Sequence, residues 1–135
     1  MTQEEKEILF KDLCARLPYH TRVKVWLKDG TTEEGALDLE HNYGDVLRDA
    51  FYYDKIVKIK PYLFPLSSMT EEQYNEFFSY YHNIEMAEVK ASGDYLKAAY
   101  IGDDAKYSWL NKNHFDWRGL IEKGLAIDAT GLNIY

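Results

Sequence analysis

Within the six residues "NHFDWR" lie a histidine, an aspartate, a tryptophan and an arginine, His114, Asp116, Trp117 and Arg118. Those types could exchange a proton or hold an anion if the fold aimed them at one point. They also have a structural reading. Asp116 can cap a helix over "WRGLIEKG", Trp117 and Leu120 can face a core, Arg118 can lie on the solvated side and His114 can occupy the turn before it. The structural reading accounts for every member and is preferred.

The other reactive types are scattered. The histidines are His20, His41, His82 and His114, and no two stand at the i, i+4 spacing of a helical metal site. His41 with Asp45, and His114 with Asp116, are the close histidine–carboxylate neighbours. Both read as loop features. Cys14 stands alone, so neither an internal disulfide nor a multi-cysteine zinc site can form, which fits a reducing compartment. The chain has no phosphate loop, no G-x-S-x-G elbow and no dinucleotide fingerprint. No metal and no cofactor are expected, and the function expected is non-enzymatic, with a hydrolase built from distant residues ranked last.

Charge and size narrow the classes further. At 135 residues, 46% hydrophobic and 16% aromatic, the chain can bury one core, which predicts a single domain over 1–135. The net charge is −7, and both residues 1–66 and residues 67–135 are acidic, so nucleic acid is an unlikely partner and a basic protein surface a better one. No apolar run reaches a membrane span, and "MTQEEKEILF" is too acidic for a signal peptide. A soluble, cytoplasmic protein is expected.

The elements that would position these residues have their own punctuation. Thr2 and Glu5 form a capping box ahead of a helix with Leu9, Phe10, Leu13, Cys14 and Leu17 on its apolar stripe, and Pro18 stops it. Cys14 therefore reads as core. "RVKVWL" alternates with period two, "KDG" is a hairpin turn, and "TEEGALDL" is the return strand. "KIVKIKPYL" is a third strand with Val57, Ile59, Pro61 and Leu63 on one face, ending at Pro61 or lying at an edge. A short strand is expected near Phe51 to Tyr53.

Thr70 and Gln73 form a second capping box, with Met69 and Tyr74 as a hydrophobic staple. The stripe Tyr74, Phe77, Phe78 and Tyr81 reads as core. "EMAEVKASGDYLKAAYIGDD" is ambiguous, with turns suggested at Gly93-Asp94 and Gly102-Asp103. A short helix over "DAKYSWLNKN", capped by Asp104, would turn Tyr107 and Leu110 inward. The second helix "WRGLIEKG" and a terminal hairpin at Thr130-Gly131 follow. Two helices and a hairpin have the order of a winged helix with Arg118 and Lys123 facing DNA, but residues 105–135 are close to neutral, which ranks that reading below protein binding.

Two resemblances add to this. "LKDGTTEEGALDLEHN" resembles the first motif of Sm-like barrels at Gly30, Gly35, Leu37 and Asn42, which implies an SH3-like or Sm-like sheet. "IKPYLFPLSSMTEEQ" with "FDWRGLIEKGLAIDATGLNIY" resembles a group of short uncharacterised proteins from prophage-like or mobile regions of gut Bacteroidetes. That resemblance implies a small accessory protein and supplies no site residues.

The expected fold is α+β: an N-terminal helix, a small antiparallel sheet, then helices and a terminal hairpin. Residues 1–66 would hold the first helix and the sheet, and residues 67–135 would be mainly helical. The expected function is an accessory or regulatory protein of phage or mobile-element type that binds a protein partner; the alternative is an Sm-like or winged-helix nucleic-acid binder. Partner-binding candidates are Trp26, Tyr62, Phe64 and Arg118, because aromatic residues and arginine carry interface hot spots and the three aromatics lie opposite the apolar strand face. Against this stands a second layer of helix that would bury Trp26, Tyr62 and Phe64 as core.

Overall fold

The structure, a computed structural model, describes residues 1–37 and 56–135. The expected strand near Phe51 to Tyr53, and His41, Asn42 and Asp45, lie outside the described residues.

Helix α1 spans Gln3–Arg16 and starts where Thr2 and Glu5 close the expected capping box, at 3.0 and 3.1 Å. A short 3-10 turn, Leu17–Tyr19, carries Pro18 at its start, and His20, at φ 55°, turns the chain into the sheet. The inward face of α1 holds Leu9, Asp12, Leu13 and Arg16, all fully buried. Cys14, expected in the core, is exposed instead. The helix is rotated because Asp12 and Arg16, one turn apart, pair at 2.8 Å and both face inward.

Strand β1 (Arg22–Leu27) is central in the sheet, with β2 (Thr32–Ala36) antiparallel on one side and β3 (Ile56–Pro65) antiparallel on the other. The β1–β2 turn works as the Asp-Gly signal predicts. Gly30 takes φ +87°, and Asp29 Oδ1 accepts the Thr31 amide and hydroxyl. Pro61 does not end β3. It marks the place where neighbours change, because β1 pairs with β3 as far as Pro61 and the last residues pair in parallel with β5 (Ile127–Asp128) and β4 (Phe115–Asp116).

Helix α2 (Glu71–Ser92) starts at the Thr70–Gln73 capping box. Gly93, at φ +67°, closes it, and the Asp94 carboxylate accepts the Lys97 amide to open α3 (Tyr95–Lys112). The turn at Gly93-Asp94 is thus present, whereas Gly102 lies inside α3 and no separate helix starts at Asp104. Ala98, Gly102 and Ala105 form the buried stripe of α3, and a Cβ on Gly102 would meet Glu85 Oε2 of α2 at 3.0 Å. Small residues at this spacing let the two helices approach closely.

The closing segment departs furthest from expectation. Residues 117–124 form successive turns, not a helix, because Gly119, inside the expected helix, takes φ +73°; Gly124, expected as its stop, takes φ +73° as a stop would. The winged-helix order is therefore absent. Past Ile127–Asp128 the chain turns at 129–132 without a return strand, so the expected hairpin is replaced by parallel pairing with β3 and by Tyr135 folding back.

Two apolar clusters result. The larger one places Leu9 and Leu13 of α1 and Leu120, Leu125 and Ala126 over Val23, Val25, Leu37, Ile59 and Leu63. The smaller one joins Trp109, Leu110 and Phe115, with Phe64, Met69, Phe77 and Trp117 packed on it. It anchors the foot of the α2–α3 pair to the end of β3, and the rest of the helical hairpin projects from there. No residue of α2 is fully buried.

Candidate functional site

The "NHFDWR" group divides into separate local roles. Asp116 accepts the backbone amides of Leu120 and Ile121, at 2.8 and 2.9 Å, so its carboxylate is occupied in holding the turns that follow. His114, at φ 64°, lies against Thr21, Nδ1 to Oγ1 at 3.2 Å, and stacks on Tyr135 at 3.7 Å between centroids. Burial, with the Arg16 guanidinium as a second cause, pushes its pKa down to about 4. The imidazole is therefore neutral near pH 7. Arg118 reaches back to Asp12, Nε to Oδ1 at 3.2 Å.

That contact completes a buried network. Asp12 receives Arg16 on one oxygen and Arg118 on the other, and Arg16 Nη2 donates to the Phe115 carbonyl at 2.7 Å. Among the described residues Arg16 Nη1 has no partner, a donor left unsatisfied in the interior. Among the described residues no three His, Cys, Asp or Glu side chains converge as a metal site would require. Partial desolvation pushes the Cys14 thiol above its usual pKa, which does not make it a nucleophile. The network joins α1 to the closing turns.

The four partner-binding candidates are not brought together. Tyr62 is buried, its hydroxyl donating to Glu34 at 2.5 Å, and desolvation and that carboxylate push its pKa up to about 12. Phe64 packs between Phe115 and Tyr135 in the smaller cluster. Both side chains are thus engaged within the fold. Trp26 is half-buried on the outer sheet face, between two lysines. Arg118 is half-buried, yet it lies over the Trp117 ring at 4.1 Å and so belongs to a different surface.

That surface is the outer side of α3. Leu96 is 87% exposed, Tyr100 76% and Tyr107 48%, at i, i+4 and i+11 on the side opposite the buried stripe. Tyr107, expected to face inward, instead meets Trp117 at 4.5 Å between centroids, and Trp117 carries Arg118 on its ring. Leu110, at i+14, lines a shallow groove of about 570 Å³ with Leu66, Met69, Tyr74 and Phe77. The aromatic stripe of α2, expected as core, is split: Phe77 and Tyr81 are half-buried, whereas Tyr74 and Phe78 are exposed. The helical hairpin, residues 71–112, carries eight acidic and four basic groups.

The sequence reading missed Leu96 and Tyr100. Their signal was the spacing itself, legible only once residues 95–112 are taken as one helix starting at Asp94. No family model, no curated protein and no solved structure matches the chain.

Proposed function

We propose that the protein is a non-enzymatic accessory protein that works by binding a protein partner, and that it docks that partner on the outer side of α3. The observation that carries this reading is the double face of the helix. Ala98, Gly102, Ala105 and Trp109 face inward, while Leu96, Tyr100 and Tyr107 face water, although a helix apolar on both sides is normally covered on both. Tyrosine, tryptophan and arginine are the types that dominate binding energy at interfaces, and Tyr100, Tyr107, Trp117 and Arg118 supply all three.

The favoured occupant is a basic amphipathic helix. Its apolar side would cover Leu96, Tyr100 and Tyr107, and its basic rim would answer a hairpin of net charge −4. A second copy is less well suited, because antiparallel pairing about the middle of the stripe would set Asp103 and Asp104 of each copy against their equivalents. The phage or mobile-element setting rests on the resemblance of the two closing segments and is part of the same proposal.

A designed Lys- and Leu-based amphipathic peptide tests the occupant. Saturable binding to the full chain, weakened by added salt and lost in Leu96→Glu with Tyr100→Ala, is expected. Equal binding by that variant, or a wild-type dimer that Leu96→Glu dissociates, would contradict the reading.

A further inference from the structure

The outer face of the sheet bears a charge opposite to that of the chain. Strand alternation turns Val23, Val25 and Ile59 into the core and sends Arg22, Lys24, Trp26, Lys58 and Lys60 to the other side. The register sets Lys24 directly opposite Lys60 and Trp26 directly opposite Lys58. Like charges facing each other across an antiparallel pair weaken it, and although Lys24 has Glu34 opposite it on β2, nothing acidic on β3 stands opposite it, where Lys60 does. Trp26 then gathers ammonium groups: Lys58 Nζ lies 4.2 Å and Lys24 Nζ 5.3 Å from its ring centroid. Among the described residues of this face, Glu34 alone is acidic, and it also receives the Tyr62 hydroxyl.

We infer that this face is a second binding site, for a short extended peptide segment rich in Asp and Glu. Carboxylates would lie between Lys24, Lys58 and Lys60, with Arg22 at the end of the row, and the Trp26 edge would take an apolar side chain between them. An anion there relieves the repulsion that the register builds in. Charge also favours a short acidic peptide over nucleic acid. The cations occupy two neighbouring strands of a chain whose net charge is −7, so a long polyanion would run off them onto an acidic surface. The site shares no residue with the outer side of α3, and either can fail without the other.

The full-length protein is titrated at low ionic strength with a labelled poly-glutamate peptide and, separately, with a single-stranded oligonucleotide of matched charge. Saturable peptide binding is expected, weakened by salt, reduced roughly tenfold or more in Lys24→Gln with Lys60→Gln and retained in Lys24→Arg with Lys60→Arg. The glutamine variant removes the Lys24–Lys60 pair together with the Lys24–Glu34 one, so its Tm is read beside its binding, and the charge-conserving arginine variant separates lost charge from lost fold. Absence of saturable peptide binding, or equal binding by the glutamine variant, overturns the inference. Tighter binding of the oligonucleotide overturns it in favour of nucleic acid, and self-association abolished by the same variant overturns it in favour of a second copy.

Discussion

The ring of Tyr107 lies 4.5 Å from that of Trp117, centroid to centroid, and joins a helix face to the turns that follow it. Through this contact the exposed stripe of α3 runs on to Trp117 and Arg118, and through Arg118 to the buried carboxylate of Asp12. The surface that would meet a partner is thereby fixed to the first helix of the chain.

Asp12→Ala should be among the most destabilising single substitutions. It strands Arg16, fully buried and already short of one partner, without its counter-charge. Breaking a buried pair from one side costs about 3–5 kcal/mol. Replacing both Asp12 and Arg16 by leucine should cost clearly less, because the two fully buried charges go together and only Arg118, which reaches solvent, loses a partner. Urea unfolding of the two variants checks the order.

Stability should fall as the pH drops from about 6.5 toward 4, in part because of His114. Its folded pKa is depressed from 6.5 to about 4, so over that window the unfolded chain takes up a proton that the folded one refuses. Above 6.5 the residue contributes no pH dependence. His114→Asn suits the positive φ at this position and removes the titration, so its Tm should decline less steeply through the same window. Parallel slopes for variant and wild type would contradict this account of the imidazole.

Removing residues 132–135 should lower the Tm by more than loss of a frayed end would. Tyr135 folds back, its ring on His114 and Phe64, its hydroxyl donating to the Tyr62 carbonyl at 2.6 Å and accepting the Arg22 amide at 2.9 Å. Tyr135→Phe keeps the ring and drops the hydroxyl, and should cost about 1 kcal/mol per hydrogen bond lost. Thermal unfolding of both forms separates ring from hydroxyl. An unchanged Tm for the truncated form would mean that the C-terminus adds nothing to the fold.

What was legible in the sequence was whatever local chemistry decides. Thr2 with Glu5 and Thr70 with Gln73 set two helix starts, Asp29-Gly30 set the hairpin, and strand alternation around Val23 and Val25 set the inward face. What was not legible depends on partners distant in the chain. Arg16 reads as a solvated charge until Phe115 and Asp12 surround it. Gly102 reads as a turn until Glu85 shows why a small residue is needed within the helix. Gly119 fits a helical pattern by composition, yet its positive φ breaks it. The outer stripe of α3 followed the same course, since splitting the helix at Gly102 hid the spacing of Leu96, Tyr100 and Tyr107.

Hydroxyl-radical footprinting of the protein, free and bound to its partner, tests the central claim most directly. The account predicts that Leu96, Tyr100 and Tyr107 react when free and are protected in the complex, while Val57 and Met86, exposed on other surfaces, react equally in both states. Protection that falls elsewhere and leaves Tyr100 fully reactive would contradict it.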